Sequence, residues 1–368
     1  MLHSAKLLSL ALLALPLGLS AQAAPAAPAN PVDAACSLTE GNARTACELA
    51  FHLKNDFIHP EQGRAYAAML RTRAATGAYD GLDGEALARR MTADLLAVAP
   101  DGHLRVEVAP AAGAGAAPEA PRLAARAAFT GARIAQGIAY LRLDGFSDDA
   151  RDVAALQKFL SRHSGSDTLV LDLRANGGGQ FASLDAIMPW LFAEPTRLVA
   201  MANRTHVDEV TGGFLPKTAS LRETAGSDGL AVREHWSLKG RKSALQQARI
   251  YVLTSPRTGS AAEHLAFALK ITERALVVGE TTGGANHFGG MTALHGGLAA
   301  FVPLGRTYDP VTGEDWEGRG IAPHVAVPAA RALEVALRLN GLSAAKARKL
   351  AADHAPDPAE MARWQSAS

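Results

Sequence analysis

The stretch Thr254-Ser-Pro-Arg-Thr-Gly-Ser260-Ala-Ala-Glu263 sets a serine behind a Pro/Gly turn and at the head of an alanine-rich segment. A side-chain oxygen at a helix N-terminus lies where backbone N–H groups and the dipole favour developing negative charge. That is the setting of a nucleophile on a strand–turn–helix elbow, although the usual Gly-x-Ser-x-Gly spelling is missing. Ser260-x-x-Glu263 is equally a capping box, which starts a helix and needs no chemistry. Asp172-Leu-Arg-Ala-Asn176-Gly177-Gly178-Gly179 puts three glycines directly after an apolar run. Such a run either turns its N–H groups toward a ligand, as an oxyanion hole requires, or is an ordinary turn. It lacks the Lys-Ser/Thr of a phosphate loop. Asp101-Gly102-His103 and Gly279-Glu-Thr-Thr-Gly-Gly-Ala-Asn-His287 each carry an imidazole of the kind that takes a hydroxyl proton. Asp315-Trp-Glu317-Gly-Arg-Gly320-Ile-Ala-Pro323-His324 carries a carboxylate that would orient a histidine or sit on a solvated turn.

These pieces need elements to hold them. Gly137–Leu143, Thr168–Leu173, Arg249–Thr254 and Ala275–Gly279 read as short buried strands. Asp148–Leu160, Ser183–Phe192 and the stretch after Thr254 to about Ile271 read as helices between them. Strands alternating with helices at this spacing give an α/β core. Residues 34–98 are Ala/Leu-rich and helical in pattern, with breaks at His59-Pro60 and from Gly77 to Gly84, so three or four short helices form an N-terminal subdomain. Leu104–Val108 alternates like a strand. Ala109–Pro121 is an Ala/Gly/Pro linker. Lys217–Lys242 is polar and irregular and reads as a flexible cover over a cleft.

The N-terminus has a basic start at Lys6, a 13-residue leucine-rich run from Leu7 to Leu19, and small residues up to Ala23. That is a secretory signal, and the run is shorter than the roughly 20 residues of a spanning helix. The expected organisation is a signal peptide at 1–23, a disordered leader at 24–33, a helical subdomain at 34–103, linker and strand at 104–135, a catalytic core at 136–340 and a helical tail at 341–368. The exported product would be periplasmic or secreted, without a stable membrane anchor. Cys36 and Cys47, the only cysteines, are expected to pair in an oxidising compartment; a structural metal site would need more thiolate or imidazole ligands than this stretch supplies. Without Lys6 the chain is formally neutral, so it lacks the basic excess of a nucleic-acid binder.

Six pieces, in one order, resemble the tail-specific or C-terminal processing serine peptidases, in the branch that includes interphotoreceptor retinoid-binding protein and the tricorn core. They are Asp101-Gly-His103, Tyr140-Leu-Arg-Leu143, Asp172–Gly179, Ser260-Ala-Ala-Glu263, Val278-Gly-Glu-Thr-Thr-Gly-Gly284 and Trp316-Glu-Gly-Arg-Gly320. The resemblance runs from about Met91 to Val327. It implies an α/β fold with a crotonase-like ββα superhelix core, and Ser260 as nucleophile. Members with a Ser/Lys dyad carry lysine in the loop after Gly-Glu-Thr; Gly283-Gly-Ala-Asn-His287 has none. The histidine-based variant then implies His103 as base and Glu317 as its orienting acid. Gly177 or Gly178 would share the oxyanion with Ala261, and His287 is the alternative base. The tricorn pattern has a serine where this chain has Gly102, and the family commonly reads Pro-Asp where this chain has Pro323-His324. Fewer than 40 residues separate His103 from the Tyr140 strand, too few for a PDZ domain. The implied substrate is a peptide or protein, with no metal or organic cofactor. A binding protein for apolar ligands or peptides, and an esterase, are the alternatives on the same fold.

Overall fold

The computed structural model describes residues 31–110, 129–226 and 229–355. The expected signal peptide, most of the leader, residues 111–121 of the linker and residues 356–368 of the tail lie outside them. Pro31–Ala35 is a short helix (α1), so the end of the expected disordered leader is helical; Pro31 and Asp33 are residues that favour a first turn. A Cys36–Cys47 disulfide ties it to α2 (Gly41–Asp56).

α2 buries Thr45, Ala46, Leu49, Ala50 and Leu53, the i, i+3, i+4 stripe of an amphipathic helix. α3 (Pro60–Ala75) opens on its proline and packs so close to α2 that a Cβ at Gly63 would lie 2.2 Å from the Leu53 carbonyl oxygen. α4 (Gly84–Val98) is capped by Asp83, whose Oδ1 accepts the Ala86 N–H at 2.8 Å. There follow β1 (Arg105–Val108), β2 (Phe129–Ala135), β3 (Ile138–Leu143), α5 (Ala150–Arg162), β4 (Thr168–Asp172), α6 (Phe181–Leu191), β5 (Thr196–Arg204) and α7 (Thr205–Thr211). Next come β6 (Leu221–Thr224), β7 (Leu230–Ser237), β8 (Arg249–Thr254), α8 (Ala261–Ile271), β9 (Leu276–Gly279), β10 (Phe288–Leu294) and β11 (Leu298–Tyr308). The chain then runs through β12 (Val325–Ala326), α9 (Ala332–Leu339) and α10 (Ala344–Asp353).

Two sheets share the work. The first runs β12-β9-β8-β4-β3-β2 and is parallel except for the β2–β3 hairpin. All five residues of β4 are buried because helices cover both faces. One face packs Leu169 and Leu171 against α5, α6 and α8 through Leu160, Ile187 and Leu265. The other packs Val170 and Leu253 against Leu333 and Leu337 of α9.

The second sheet, β1-β11-β5-β7-β6 with β10 also on β11, is antiparallel. The sequence reading anticipates β1 alone of it. The segment read as a flexible cover, 217–242, instead supplies β6 and β7, with His235 and Ser237 fully enclosed. Leu49, Leu53, Tyr66, Leu70 and Met91 of the N-terminal helices form one core with Val106, Leu294, Leu298 and Val302 of this sheet. The mixed α/β architecture with an N-terminal helical region therefore has its helices built onto the second sheet.

Candidate active site

β4, β8 and β9 are neighbours, and from their carboxyl ends leave the loops that carry Gly177–Gly179, Ser260 and His287. In open parallel sheets this is the end where ligands bind. The turn after β8 is strapped to the segment after β4. Ser255 Oγ donates to the Arg174 carbonyl at 2.6 Å, Thr258 Oγ1 to that of Leu173 at 2.9 Å, and the Gly259 N–H to that of Asn176 at 3.0 Å. The straps hold Ser260 at φ 52°, ψ −123°; Glu273 is the other non-glycine residue with positive φ among those described. Such a conformation costs about 1–3 kcal/mol and persists where its surroundings impose it. Ser260 directly precedes α8, and its N–H donates to Glu263 Oε2 at 2.9 Å.

Gly178, at φ 113°, lies against this turn. A Cβ there would stand 2.7 Å from Ser260 Cβ and 3.0 Å from the Ala261 nitrogen, so only glycine fits. Its own N–H is committed to Asn176 Oδ1 at 2.8 Å. Among the described residues the N–H groups of Gly177 and Ala261 have no protein acceptor. Of the two glycines expected to offer an oxyanion donor, Gly177 is the one with its amide free.

Asp101 organises both histidines. Its Oδ1 accepts the N–H groups of His103 and Leu104, each at 2.9 Å, and its Oδ2 lies 2.7 Å from His287 Nδ1. Burial raises the Asp101 pKa, but the His287 hydrogen bond and charge with the two amides outweigh it and hold the group below its ordinary value. For His287 burial works downward, while the Asp101 bond and the Glu317 charge prevail and raise the imidazole. Burial takes His103 down to about 4, and its ring stacks on Phe301 with centroids 5.1 Å apart.

Glu317, expected to orient the His103 ring, holds main chain instead. Its Oε1 accepts the Gly102 N–H at 2.6 Å, and its Oε2 those of Asn286 and His287 at 2.7 and 2.9 Å. His103 Nδ1 is enclosed with no partner, and for His287 the enclosed, partnerless atom is Nε2. A triad imidazole needs one nitrogen anchored and the other open to the serine. His287 has its Nδ1 anchored on Asp101, whereas His103 Nδ1 is unanchored. The serine that the tricorn pattern has in place of Gly102 would not fit here: a Cβ on Gly102 would lie 2.8 Å from Ala285 Cα.

Asp101, His287 and Glu317 present ligand atoms within 4.8 Å of one another, the spacing of a metal site. Their oxygens already accept five backbone N–H groups, and a cation would compete with these. His59, at the head of α3, brings its ring centroid within 5.1 Å of that of His287 and is itself lowered by burial. Nothing in the sequence signals its arrival 228 positions away from its neighbour.

The sequence profile of peptidase family S41 matches residues 137–327, more than half of the chain. A carboxyl-terminal-processing protease of Picosynechococcus sp. is 29% identical over 192 residues, 52% of this chain and 39% of that protein. A second, of Synechocystis sp., is 28% identical over 52% of this chain and 38% of its own length. The match thus spans about two fifths of these curated relatives. The structure of a lipoprotein from Streptococcus agalactiae superposes with a TM-score of 0.54 at 12% identity, over 82% of this chain and 96% of the other. Such similarity speaks to the fold alone. The Ser260 turn, the glycine run packed on it and the loop to His287 all fall inside the matched span, and the chain belongs to peptidase family S41.

Proposed function

We propose that the protein is an exported serine peptidase that hydrolyses peptide bonds through an acyl-enzyme on Ser260. His103 Nε2 takes the hydroxyl proton as Ser260 Oγ attacks the carbonyl, and returns it to the leaving amine; water then frees the acyl group by the reverse route. The amides of Gly177 and Ala261 hold the tetrahedral oxyanion. The observation that carries this reading is the strained Ser260 at the head of α8, pressed against a glycine that admits no side chain. The low His103 pKa keeps that ring in the neutral form at pH 7, the form a general base requires. Glu317 acts on the main chain beside His103 through the Gly102 amide. The alternation of β3, α5, β4, α6 and of β8, α8, β9 supports the crotonase-like superhelix that the resemblance implies.

Export rests on the Met1–Ala23 segment and on the disulfide, which fits an oxidising compartment. No helix among the described residues is long and apolar enough to cross a membrane. A second reading makes His287 the base, favoured by its 2.7 Å contact with Asp101.

The test is labelling with a fluorophosphonate probe and turnover of a casein-type substrate, wild type against Ser260→Ala. Labelling of Ser260 and its loss in the variant, with turnover abolished and folding intact, are expected. An unlabelled wild type would point to a binding protein for apolar ligands. Labelling with turnover of esters but never of peptides would point to an esterase.

A further inference from the structure

The Ser-x-x-Glu spelling at the head of α8 accounts for one hydrogen bond of Glu263, and the structure gives this carboxylate four. Oε2 accepts the Ser260 N–H and the Ala285 N–H, both at 2.9 Å; Oε1 accepts the Gly284 N–H at 2.7 Å and the Thr282 hydroxyl. A capping glutamate needs only the first of these. The other three come from the loop after β9, some twenty residues on, and the group is fully enclosed. Thr282 Oγ1 in turn accepts the Ile321 N–H at 2.7 Å, which ties in the segment after Glu317.

The loop therefore rests on two carboxylates in succession. Glu263 takes 282, 284 and 285; Glu317 takes 286 and 287 and reaches across to Gly102, next to His103. Through these bonds and the short main-chain links between them, the nucleophile's own amide is tied to the backbone of His287 and to that of Gly102, next to His103. We propose that Glu263 is a positioning residue for the hydrolytic reaction: its carboxylate fixes the Ser260 turn and the loop after β9 relative to each other, and thereby sets the approach of the histidine to the serine oxygen. This rests on Ser260 being the nucleophile.

Burial raises the Glu263 pKa and the four hydrogen bonds work against that rise; the physical reason for a carboxylate here is the donor set. Four donors converge and none of the four groups can accept in return at that geometry except the hydroxyl, so an uncharged amide would leave N–H groups facing an NH2. Misplacement of reacting groups by about 1 Å costs on the order of 100-fold in rate, and the residue that prevents it acts on rate more than on substrate affinity.

The experiment compares wild type, Glu263→Gln, Glu263→Asp and Thr282→Val, each at full chain length. A fluorophosphonate probe gives two numbers per variant: the fraction of molecules that label, and the rate constant of those that do. Turnover gives kcat and KM, and thermal unfolding gives Tm. For Glu263→Gln we expect the labelled fraction to stay near that of wild type while the labelling rate constant and kcat fall at least 10-fold, with KM within about 2-fold. Thr282→Val, which keeps the charge and removes one donor, falls in between, and Glu263→Asp recovers part of the rate. A merely structural cap would show the converse, a lower Tm and labelled fraction with an unchanged rate constant per labelled site, and that result would overturn the proposal. If Glu263→Gln does not fold, an unchanged rate constant in Thr282→Val overturns it equally. A wild type that fails to label at Ser260 sinks the hydrolase reading itself, a result distinct from both.

Discussion

His103 and His287 both contact the same aspartate, and their pKa values are displaced in opposite directions, which makes them separable by pH. A general base works only when neutral. With His103 as base, burial having lowered it to about 4, kcat/KM is flat from neutral pH downward and falls only near pH 4. With His287 as base, raised above the usual 6.5 by Asp101, activity is already falling as pH drops through neutrality. We expect the first profile, measured between about pH 3.5 and 8. Replacement by alanine is the companion test: His103→Ala should cut turnover about as deeply as Ser260→Ala, since members of a catalytic unit fail together, while His287→Ala should retain most of kcat. Near-normal turnover in His103→Ala with none in His287→Ala would reverse the assignment. The sequence makes Ser260, both histidines and Glu317 visible because each sits in a short motif. It could not show that Asp101 pairs with His287 across 186 positions, or that Glu317 reaches Gly102 across 215. Such pairings are made by the fold and leave no local spacing.

Among the elements, the parallel strands were the legible part. β4 and β8 are continuous apolar runs because both faces are covered. The antiparallel sheet was not, since β10 and β11 are interrupted by Gly289, Gly290, Pro303 and Gly305, residues that ordinarily mark loops. Pro303 lies opposite Gly289, where the β10–β11 register is irregular, the kind of position in a sheet where proline is found. The glycine run after β4 carries the sharpest prediction at this scale. Gly178→Ala places a methyl 2.7 Å from Ser260 Cβ in a backbone conformation that alanine avoids. It should cost about 1–3 kcal/mol of stability and at least 100-fold in labelling rate, read by calorimetry and by the fluorophosphonate probe. A variant with near-normal labelling would remove this glycine from the site.

Across the molecule, the N-terminal helices do not stand apart. Their buried stripe and the β1–β11–β10 face are one core, so helical region and sheet should unfold together, in a single calorimetric transition. Leu53→Ala, deep in that core, should cost about 2–5 kcal/mol and lower activity in proportion to the folded fraction. Two separated transitions would contradict a shared core. The Cys36–Cys47 bridge closes a short loop between α1 and α2 at its margin. Reduction should cost about 3 kcal/mol or less, with intact mass before and after alkylation confirming the pairing.

Gly102 also bears on the routes open to this chain under mutation. A serine at 102 is a change of one residue, yet its Cβ would meet Ala285 Cα at 2.8 Å and the Gly284 carbonyl at 3.1 Å, which are backbone atoms held by Glu263 and Glu317. Trimming Ala285 to glycine removes a methyl and leaves the Cα in place. The two loops are therefore coupled: a hydroxyl beside His103 becomes acceptable only after the 282–287 segment has shifted. A selection for higher turnover starting from this chain should accordingly recover changes in the loop after β9 before any change at position 102.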